Sequence, residues 1–135
     1  MVITGGEPLQ HDLTALCGAL APSTLPLHLE TSGVHPISGR FDWITLSPKP
    51  HRAPRQDLLA RCDELKVVIH AADDLLFAEA MAADAIGMGR DGAGPALLLQ
   101  PGWDCAKGRE LALAYVQGHP AWRLSLQSHK WLGVR

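Results

Sequence analysis

Short apolar runs alternate along the chain with longer stretches in which apolar residues recur at helical spacing. The short runs are rich in leucine or β-branched residues and lack strict alternation, which is typical of strands covered on both faces. They predict strands at residues 2–4, 27–31, 43–47, 65–70, 96–100 and 122–127. The longer stretches predict helices at residues 11–21, 55–62, 73–83 and 107–117. This alternation favours a parallel α/β sheet, either doubly wound or part of a barrel of β/α units.

Two of the predicted helix ends carry local signals. Asp73 precedes an apolar run and is a predicted N-cap, since its side chain can accept a hydrogen bond from a free N–H of the first turn. The segment Gly118-His119-Pro120 predicts the end of the last helix, because proline cannot continue it.

Polar residues follow most of the predicted strands. The carboxyl ends of parallel strands meet at one rim of the sheet, and such folds bind their ligands there. The polar segments in these positions are residues 4–7, 30–33, 47–49, 100–103 and 127–130. The sequence therefore predicts a ligand-binding rim.

The first of these segments, Thr4-Gly5-Gly6-Glu7-Pro8, has the composition of a corner that faces a ligand. Glycines allow the backbone to approach a bound molecule closely, and the Glu7 carboxylate can accept hydrogen bonds from an ammonium group. The same residues also suit an ordinary turn between a strand and a helix. The corner by itself leaves both interpretations open.

Composition adds limits to this picture. The chain has 135 residues, 47% of them hydrophobic, and a net charge of −2, which is enough for one hydrophobic core and a single domain over residues 1–135. A sequence pI near 6.4 without a basic run argues against a nucleic-acid partner. The sequence has no apolar run long enough to span a membrane, so the cytoplasm is the expected compartment.

Three further patterns predict structural rather than chemical roles. Cys17, Cys62 and Cys105 have neither cluster nor zinc spacing, and we expect each to be a buried, small hydrophobic residue. The seven histidines also lack a metal-binding spacing. Residues 87–92 fit the dinucleotide fingerprint, but they follow a helix and precede a strand, so a plain loop is predicted.

Six segments, in their order along the chain, carry a resemblance to a known family. They are Thr4-Gly5-Gly6-Glu7-Pro8, Leu29-Glu30-Thr31-Ser32-Gly33, Leu46-Ser47-Pro48-Lys49, Glu64-Leu65-Lys66-Val67-Val68, Leu99-Gln100-Pro101 and the ending Arg123-Leu124-Ser125-Leu126-Gln127-Ser128-His129-Lys130-Trp131-Leu132-Gly133. The first resembles the Gly-Gly-Glu motif of radical S-adenosylmethionine enzymes. Together the six are similar to the 7-carboxy-7-deazaguanine synthases, a branch of those enzymes.

The resemblance implies a fold and a set of site residues. The fold is a partial (β/α) barrel with a parallel sheet and outer helices, of which this chain is the C-terminal portion, with the N-terminal part missing. The residues implied to bind S-adenosylmethionine are Gly5, Gly6, Glu7, Ser47, Pro48, Lys49, Gln100, Pro101, Gly102 and Trp103. Thr4 and the terminal Arg135 are implied to contact the substrate.

The resemblance also implies a reaction and its cofactors. The family converts 6-carboxy-5,6,7,8-tetrahydropterin to 7-carboxy-7-deazaguanine and ammonia, in queuosine biosynthesis, by radical ring contraction. The expected cofactors are S-adenosylmethionine, a 4Fe–4S cluster and Mg²⁺, and the expected partners are a second copy of the chain and an electron donor such as flavodoxin.

This sequence departs from the family at the cluster. Family members hold the cluster on three closely spaced cysteines near the N-terminus, whereas the cysteines here are about forty residues apart. Two alternatives therefore stay open, a truncated and noncatalytic protein that still binds S-adenosylmethionine, or another radical activating enzyme that acts on a protein.

Overall fold

Six parallel strands form one sheet in which the order across the sheet is the order along the chain. The computed structural model describes residues 1–89 and 94–134, and only the backbone of Trp131. The strands are β1 Val2–Ile3, β2 His28–Thr31, β3 Trp43–Leu46, β4 Glu64–Ile69, β5 Ala96–Pro101 and β6 Trp122–Leu124. Because every neighbouring pair is parallel, all six carboxyl ends lie at the same rim.

Helices connect the strands and cover one face of the sheet. They are α1 Thr14–Leu20, α2 Gln56–Leu59, α3 Ala72–Met88, α4 Ala106–Gly118 and α5 Ser128–Trp131, with 3-10 turns at Pro8–Gln10 and Ala21–Ser23. Apolar residues of α1 to α4 share one core with alternate residues of the strands. A doubly wound sheet reverses its strand order and carries helices on both faces. When each strand is added on the same side of the one before it, as here, the right-handed connections place all helices on one face. The predicted partial barrel, with outer helices, is therefore confirmed.

The other face of the sheet is not covered by α1 to α4, and we call it the open face. It carries Glu30 of β2, Thr45 of β3, and Glu64 and Lys66 of β4. Along β4 the residues that point to this face are half-exposed, and those between them are buried. The core thus lies on the helix side, and the polar residues of these strands lie on the open face.

Several predicted boundaries were wrong. α1 begins at Thr14 rather than residue 11, because Asp12 Oδ1 and Ser38 Oγ accept hydrogen bonds from the N–H groups of Thr14 and Leu13 in a non-helical start. α3 continues to Met88. β6 ends at Leu124, and residues 128–131 form α5, which the sequence reading missed. Of the fingerprint at residues 87–92, Gly87 and Met88 belong to the last turn of α3, and residues 90–92 lie outside the described part.

The predicted N-cap at Asp73 was also wrong. Ala71 is the N-cap of α3, and Asp74 supplies the carboxylate, which accepts hydrogen bonds from the backbone N–H groups of His70 and Ala71 at 2.7 and 2.9 Å. An acidic residue at the third helical position reaches back to the N–H groups just before the helix, as the corresponding residue of a capping box does. The predicted end of α4 is confirmed, since the helix stops at Gly118.

The cysteines do not all occupy the predicted positions. Cys17 and Cys62 are buried as expected, and burial together with the Asp63 charge raises the pKa of Cys62 to about 11. Cys105 is only partly buried, because it caps the N-terminus of α4 and its Sγ accepts a hydrogen bond from Gly108 N–H at 3.3 Å. In the described part of the chain, no helix combines the length and apolarity that a bilayer crossing demands.

Candidate functional site

The loops after β1, β2 and β3 enclose a small cavity at the carboxyl rim of the sheet. Its volume is about 160 Å³. It is lined by Thr4, Gly6, Glu30, Thr31, Ser32, Ser47 and Lys49. Three of the five sequence-predicted rim segments thus meet in this one cavity, which we call the rim cavity.

The two glycines after β1 are required by the backbone. Gly5 and Gly6 have φ values of +97° and +58°, a region that residues with a side chain rarely adopt. A Cβ at either position would meet no atom within 4 Å, so packing does not exclude a larger residue. The glycines therefore set the direction of the loop and leave open space beside its backbone.

The Glu7 carboxylate is occupied by donors of its own protein. It accepts hydrogen bonds from Thr31 Oγ1 at 2.5 Å, from Ser32 N–H at 2.8 Å, from the Ser32 hydroxyl, and from Leu9 N–H at 3.2 Å. Partial burial raises the pKa of Glu7, but the hydrogen bonds from Ser32 and Thr31 outweigh it and lower the pKa overall. Glu7 thus ties the loop after β1 to the end of β2, and its predicted contact with a ligand stays a prediction.

Glu30 and Lys66 are functional candidates that were not assigned from the sequence. Glu30 Oε2 accepts a hydrogen bond from Thr4 Oγ1 at 3.0 Å, and Glu30 Oε1 accepts one from Lys66 Nζ. The signal that could have found Lys66 is a lysine in the middle of an otherwise apolar strand, since such strands rarely bury an unpaired charge. Glu30 stands in the polar end of β2 that the sequence analysis had noted.

Lys49 places a cation at the rim cavity. Its Nζ donates a hydrogen bond to Ser47 Oγ at 3.2 Å. Burial and the nearby charge of Lys66 lower the pKa of Lys49, although Glu30 and Glu7 act in the opposite direction. Pro48, between Ser47 and Lys49, is fully buried, so its part in the site is to hold this turn.

The lining of the rim cavity therefore holds one ammonium group, Lys49, and one carboxylate, Glu30. Lys66, which pairs with Glu30, and Glu7 stand close enough to act on these charges. Hydroxyl groups of threonine and serine surround them. This donor and acceptor set complements a zwitterion such as the amino-acid end of a ligand, whose carboxylate pairs with lysine and whose ammonium pairs with glutamate.

A second cavity lies at the ends of β5 and β6, with a volume of about 300 Å³. Pro101, Gly102 and Trp103 line it, and the Lys130 ammonium lies 4.9 Å from the centre of the Trp103 ring. Gly102 lies against the His70 ring, which a Cβ at this position would approach to 2.6 Å. The predicted segment is thus in place at the rim, in a cavity distinct from the first.

Among the predicted residues that the structure describes, four line neither cavity, namely Gly5, Glu7, Pro48 and Gln100. Gln100 is a half-buried residue of β5 in register with Val68, just before the second lining begins. Arg135 lies outside the described residues.

The largest cavity, about 810 Å³, lies away from this rim. Its lining includes Cys17 of α1, Leu27 just before β2 and Asp42 just before β3. These residues stand at the amino ends of the strands, where parallel α/β folds place groups that serve stability. We therefore assign the chemistry to the carboxyl rim.

Comparison with known proteins gives a consistent result. The chain is 50% identical to a 7-carboxy-7-deazaguanine synthase of Prochlorococcus marinus, covering 99% of this chain and 67% of the relative. It is 50% identical to the protein of the same name from Synechocystis sp., covering 100% of this chain and 62% of the relative. The crystal structure of QueE from Escherichia coli matches with a TM-score of 0.78 at 29% identity, over 93% of this chain and 55% of that chain.

No protein-family model matches the chain. The chain spans roughly three fifths to two thirds of the length of the curated relatives named above.

Proposed function

Because this chain belongs to the 7-carboxy-7-deazaguanine synthase family, we propose that it forms the part of such a synthase that binds S-adenosylmethionine and the pterin substrate. The proposed overall reaction converts 6-carboxy-5,6,7,8-tetrahydropterin to 7-carboxy-7-deazaguanine and ammonia, the reaction of a carbon–nitrogen lyase in queuosine biosynthesis. S-adenosylmethionine bound to a reduced 4Fe–4S cluster supplies radical chemistry in enzymes of this kind.

The rim cavity fits the amino-acid end of S-adenosylmethionine. Lys49 can pair with the methionine carboxylate, while Glu30 and the open backbone at Gly5 and Gly6 can accept the ammonium. Glu7 keeps the loop closed against β2, so these acceptors stay in place without a ligand. The observation that carries the proposal is this pairing of a cation and a carboxylate in one small cavity beside a glycine turn of positive φ.

The cysteines of this chain do not fit a 4Fe–4S cluster. Cys17 packs against Gly39, Cys62 donates to the backbone carbonyl of Leu59, and Cys105 caps α4. Within residues 1–89 and 94–134, no three His, Cys, Asp or Glu side chains meet as a metal-binding group. We propose that the ligands of the cluster and of Mg²⁺ come from chain outside these 135 residues.

The expected partners remain part of the proposal. We propose that the complete synthase acts in the cytoplasm as a homodimer and takes its electron from a donor such as flavodoxin. The near-neutral charge supports a small-molecule substrate rather than a polynucleotide. The second cavity, with Trp103 and the Lys130 ammonium, offers an aromatic surface for the remainder of the bound S-adenosylmethionine.

The test is ligand binding followed by turnover. We expect isothermal titration to detect S-adenosylmethionine binding, and the variant Lys49→Met to weaken it about tenfold or more, because a charge-assisted hydrogen bond is lost. The matched control is Arg61→Met, which removes an exposed charge just before β4, at a residue that lines neither cavity of the rim. The full-length protein, reduced anaerobically, should release 7-carboxy-7-deazaguanine, detected by mass spectrometry.

Three outcomes separate the candidates. Product formation supports the synthase, whereas absence of S-adenosylmethionine binding would contradict it. If the full-length protein binds S-adenosylmethionine but forms no product, the second candidate, a noncatalytic binding protein, is favoured. The observation that supports this candidate is the dispersed arrangement of the three cysteines.

A further inference from the structure

Glu30 and Lys66 form an ion pair on the open face of the sheet, directly beneath the rim cavity. Glu30 belongs to β2 and Lys66 to β4, so the pair reaches across β3. The Lys66 side chain is only 12% exposed, whereas that of Glu30 is 37% exposed. Burying an ammonium costs free energy that one ion pair often fails to recover, so stability alone is a weak reason for this pair.

The Glu30 carboxylate has hydrogen-bonding capacity left. Oε2 accepts one hydrogen bond from Thr4, and Oε1 accepts one from Lys66. Each oxygen of an ionised carboxylate can accept about two, and the exposed part of Glu30 lines the rim cavity. The remaining capacity is therefore available to a bound ligand.

We propose that Glu30 accepts a hydrogen bond from an N–H group of the bound ligand, and that Lys66 is the positioning residue that holds Glu30 for this contact. The inference rests on the function proposed above and names the polar partner within its site. Two ligands of that function carry N–H donors, the ammonium of S-adenosylmethionine and the ring and amino groups of the tetrahydropterin. Their shared chemistry is an N–H donor facing a fixed carboxylate.

The charged groups around Glu30 decide how it responds to pH. Two cations act on Glu30, Lys66 of β4 and Lys49 after β3. Glu7, in the loop after β1, acts on Lys49. Glu64 of β4 accepts a hydrogen bond from Thr45 on the same face of the sheet. Burial raises the pKa of Glu30, but the hydrogen bond and the charge of Lys66 outweigh it and lower the pKa. The hydrogen bond from Thr4 and the charge of Lys49 act in the same direction as Lys66. Without Lys66 the pKa of Glu30 would rise, so Glu30 would become protonated at a higher pH than in the unaltered protein.

The experiment measures the affinity of each ligand separately, by titration calorimetry of the full-length protein under anaerobic conditions. The variants are Lys66→Met, which removes the charge at similar length, Lys66→Arg, which keeps it, and Glu30→Gln. The matched control is Glu64→Gln, on the same strand and face but bound to Thr45 outside the cavity lining. Each titration is repeated between about pH 5 and pH 8.

We expect Lys66→Met and Glu30→Gln to weaken at least one ligand about tenfold or more, while Glu64→Gln leaves both affinities within about twofold. Lys66→Arg should recover most of the affinity. In Lys66→Met the affinity should fall further toward acid pH, since a protonated Glu30 is a poorer acceptor, whereas that of the unaltered protein should change less. If the affinity for only one of the two ligands falls, that ligand supplies the N–H group.

Two results would overturn the inference, and they are distinguishable from one another. If the unaltered protein binds both ligands and the Lys66 and Glu30 variants bind equally well, only this inference fails. If the unaltered protein binds neither ligand, the proposed function fails and this inference fails with it. Should Lys66→Met not fold, Glu30→Gln and Lys66→Arg carry the same comparison.

Discussion

Among single residues, Glu7 has the clearest physical role that its sequence motif did not disclose. Its carboxylate joins residues 24 and 25 positions away along the chain to its own loop. Four donors converge on two oxygens, which fills the acceptor capacity of an ionised carboxylate. These hydrogen bonds fix the Gly-Gly-Glu corner before any ligand binds. A corner that is already ordered spares the entropy that would otherwise be lost when the ligand orders it.

Replacing Glu7 with glutamine should destabilise the protein. The amide keeps the shape but presents a donor to the N–H groups of Ser32 or Leu9, at a cost of about 1–3 kcal/mol in the free energy of unfolding. Urea denaturation measures this, and Glu110→Gln, on an exposed part of α4, should change stability by less than about 0.5 kcal/mol.

The pH dependence has a defined sign. Because the pKa of Glu7 lies below its ordinary value of 4.5 in the folded protein, its contribution is present above that value and is lost as the pH falls through the folded pKa. The stability of Glu7→Gln should therefore decline less on acidification. An equally steep decline in both proteins would contradict the assignment.

Among the elements, α4 lies tightly against the sheet at Gly108. A Cβ at Gly108 would lie 2.1 Å from the backbone carbonyl oxygen of Ile69, an atom that cannot move without disturbing β4. The first turn of α4, capped by Cys105, is thus pressed against the strand that carries Lys66. The position of this helix is coupled to the geometry of the open face.

The variant Gly108→Ala tests this close approach. We expect it to lower the free energy of unfolding by about 1–3 kcal/mol, because the added methyl group forces α4 away from β4. Gly118→Ala, in the same helix, meets no atom within 4 Å and should be neutral or stabilising by about 0.5–1 kcal/mol. Equal midpoints for the two variants in thermal denaturation would show that the helix can shift without cost.

At the scale of the whole molecule, the described structure is one parallel sheet with its core and helices on one face. The polar residues of β2, β3 and β4 lie on the open face. The three cysteines lie on different elements of this structure, in α1, after α2 and at the start of α4. A 4Fe–4S cluster needs thiolates brought together, and two of these thiols are buried.

We therefore expect residues 1–135, reconstituted anaerobically with iron and sulfide, to hold far less than one cluster per chain. Iron and acid-labile sulfide analysis measures this, and Cys105→Ser controls for iron bound adventitiously at the partly exposed thiol. A full complement of four irons and four sulfides per chain would contradict the expectation.

Much of the fold and part of the site could be predicted from the sequence. Local periodicity predicts strands and helices, and parallel strands place their carboxyl ends at one rim, so the rim where the polar segments meet could be predicted from the pattern. A local signal was wrong at Asp73, because its neighbour Asp74 accepts the hydrogen bond from a backbone N–H group at the start of α3 instead.

The sequence by itself determined the element order, the parallel rim and the glycine turn at Gly5 and Gly6, because each depends on residues close together in the chain. Only the tertiary structure decided that Glu7 turns to Thr31 and Ser32 and that Glu30 meets Lys66, 36 residues away. Such contacts depend on the register of neighbouring strands. The packing of α1 to α4 against one face of the sheet helps to set this register. A carboxylate in a sequence carries no mark of which of its possible partners the fold will bring to it.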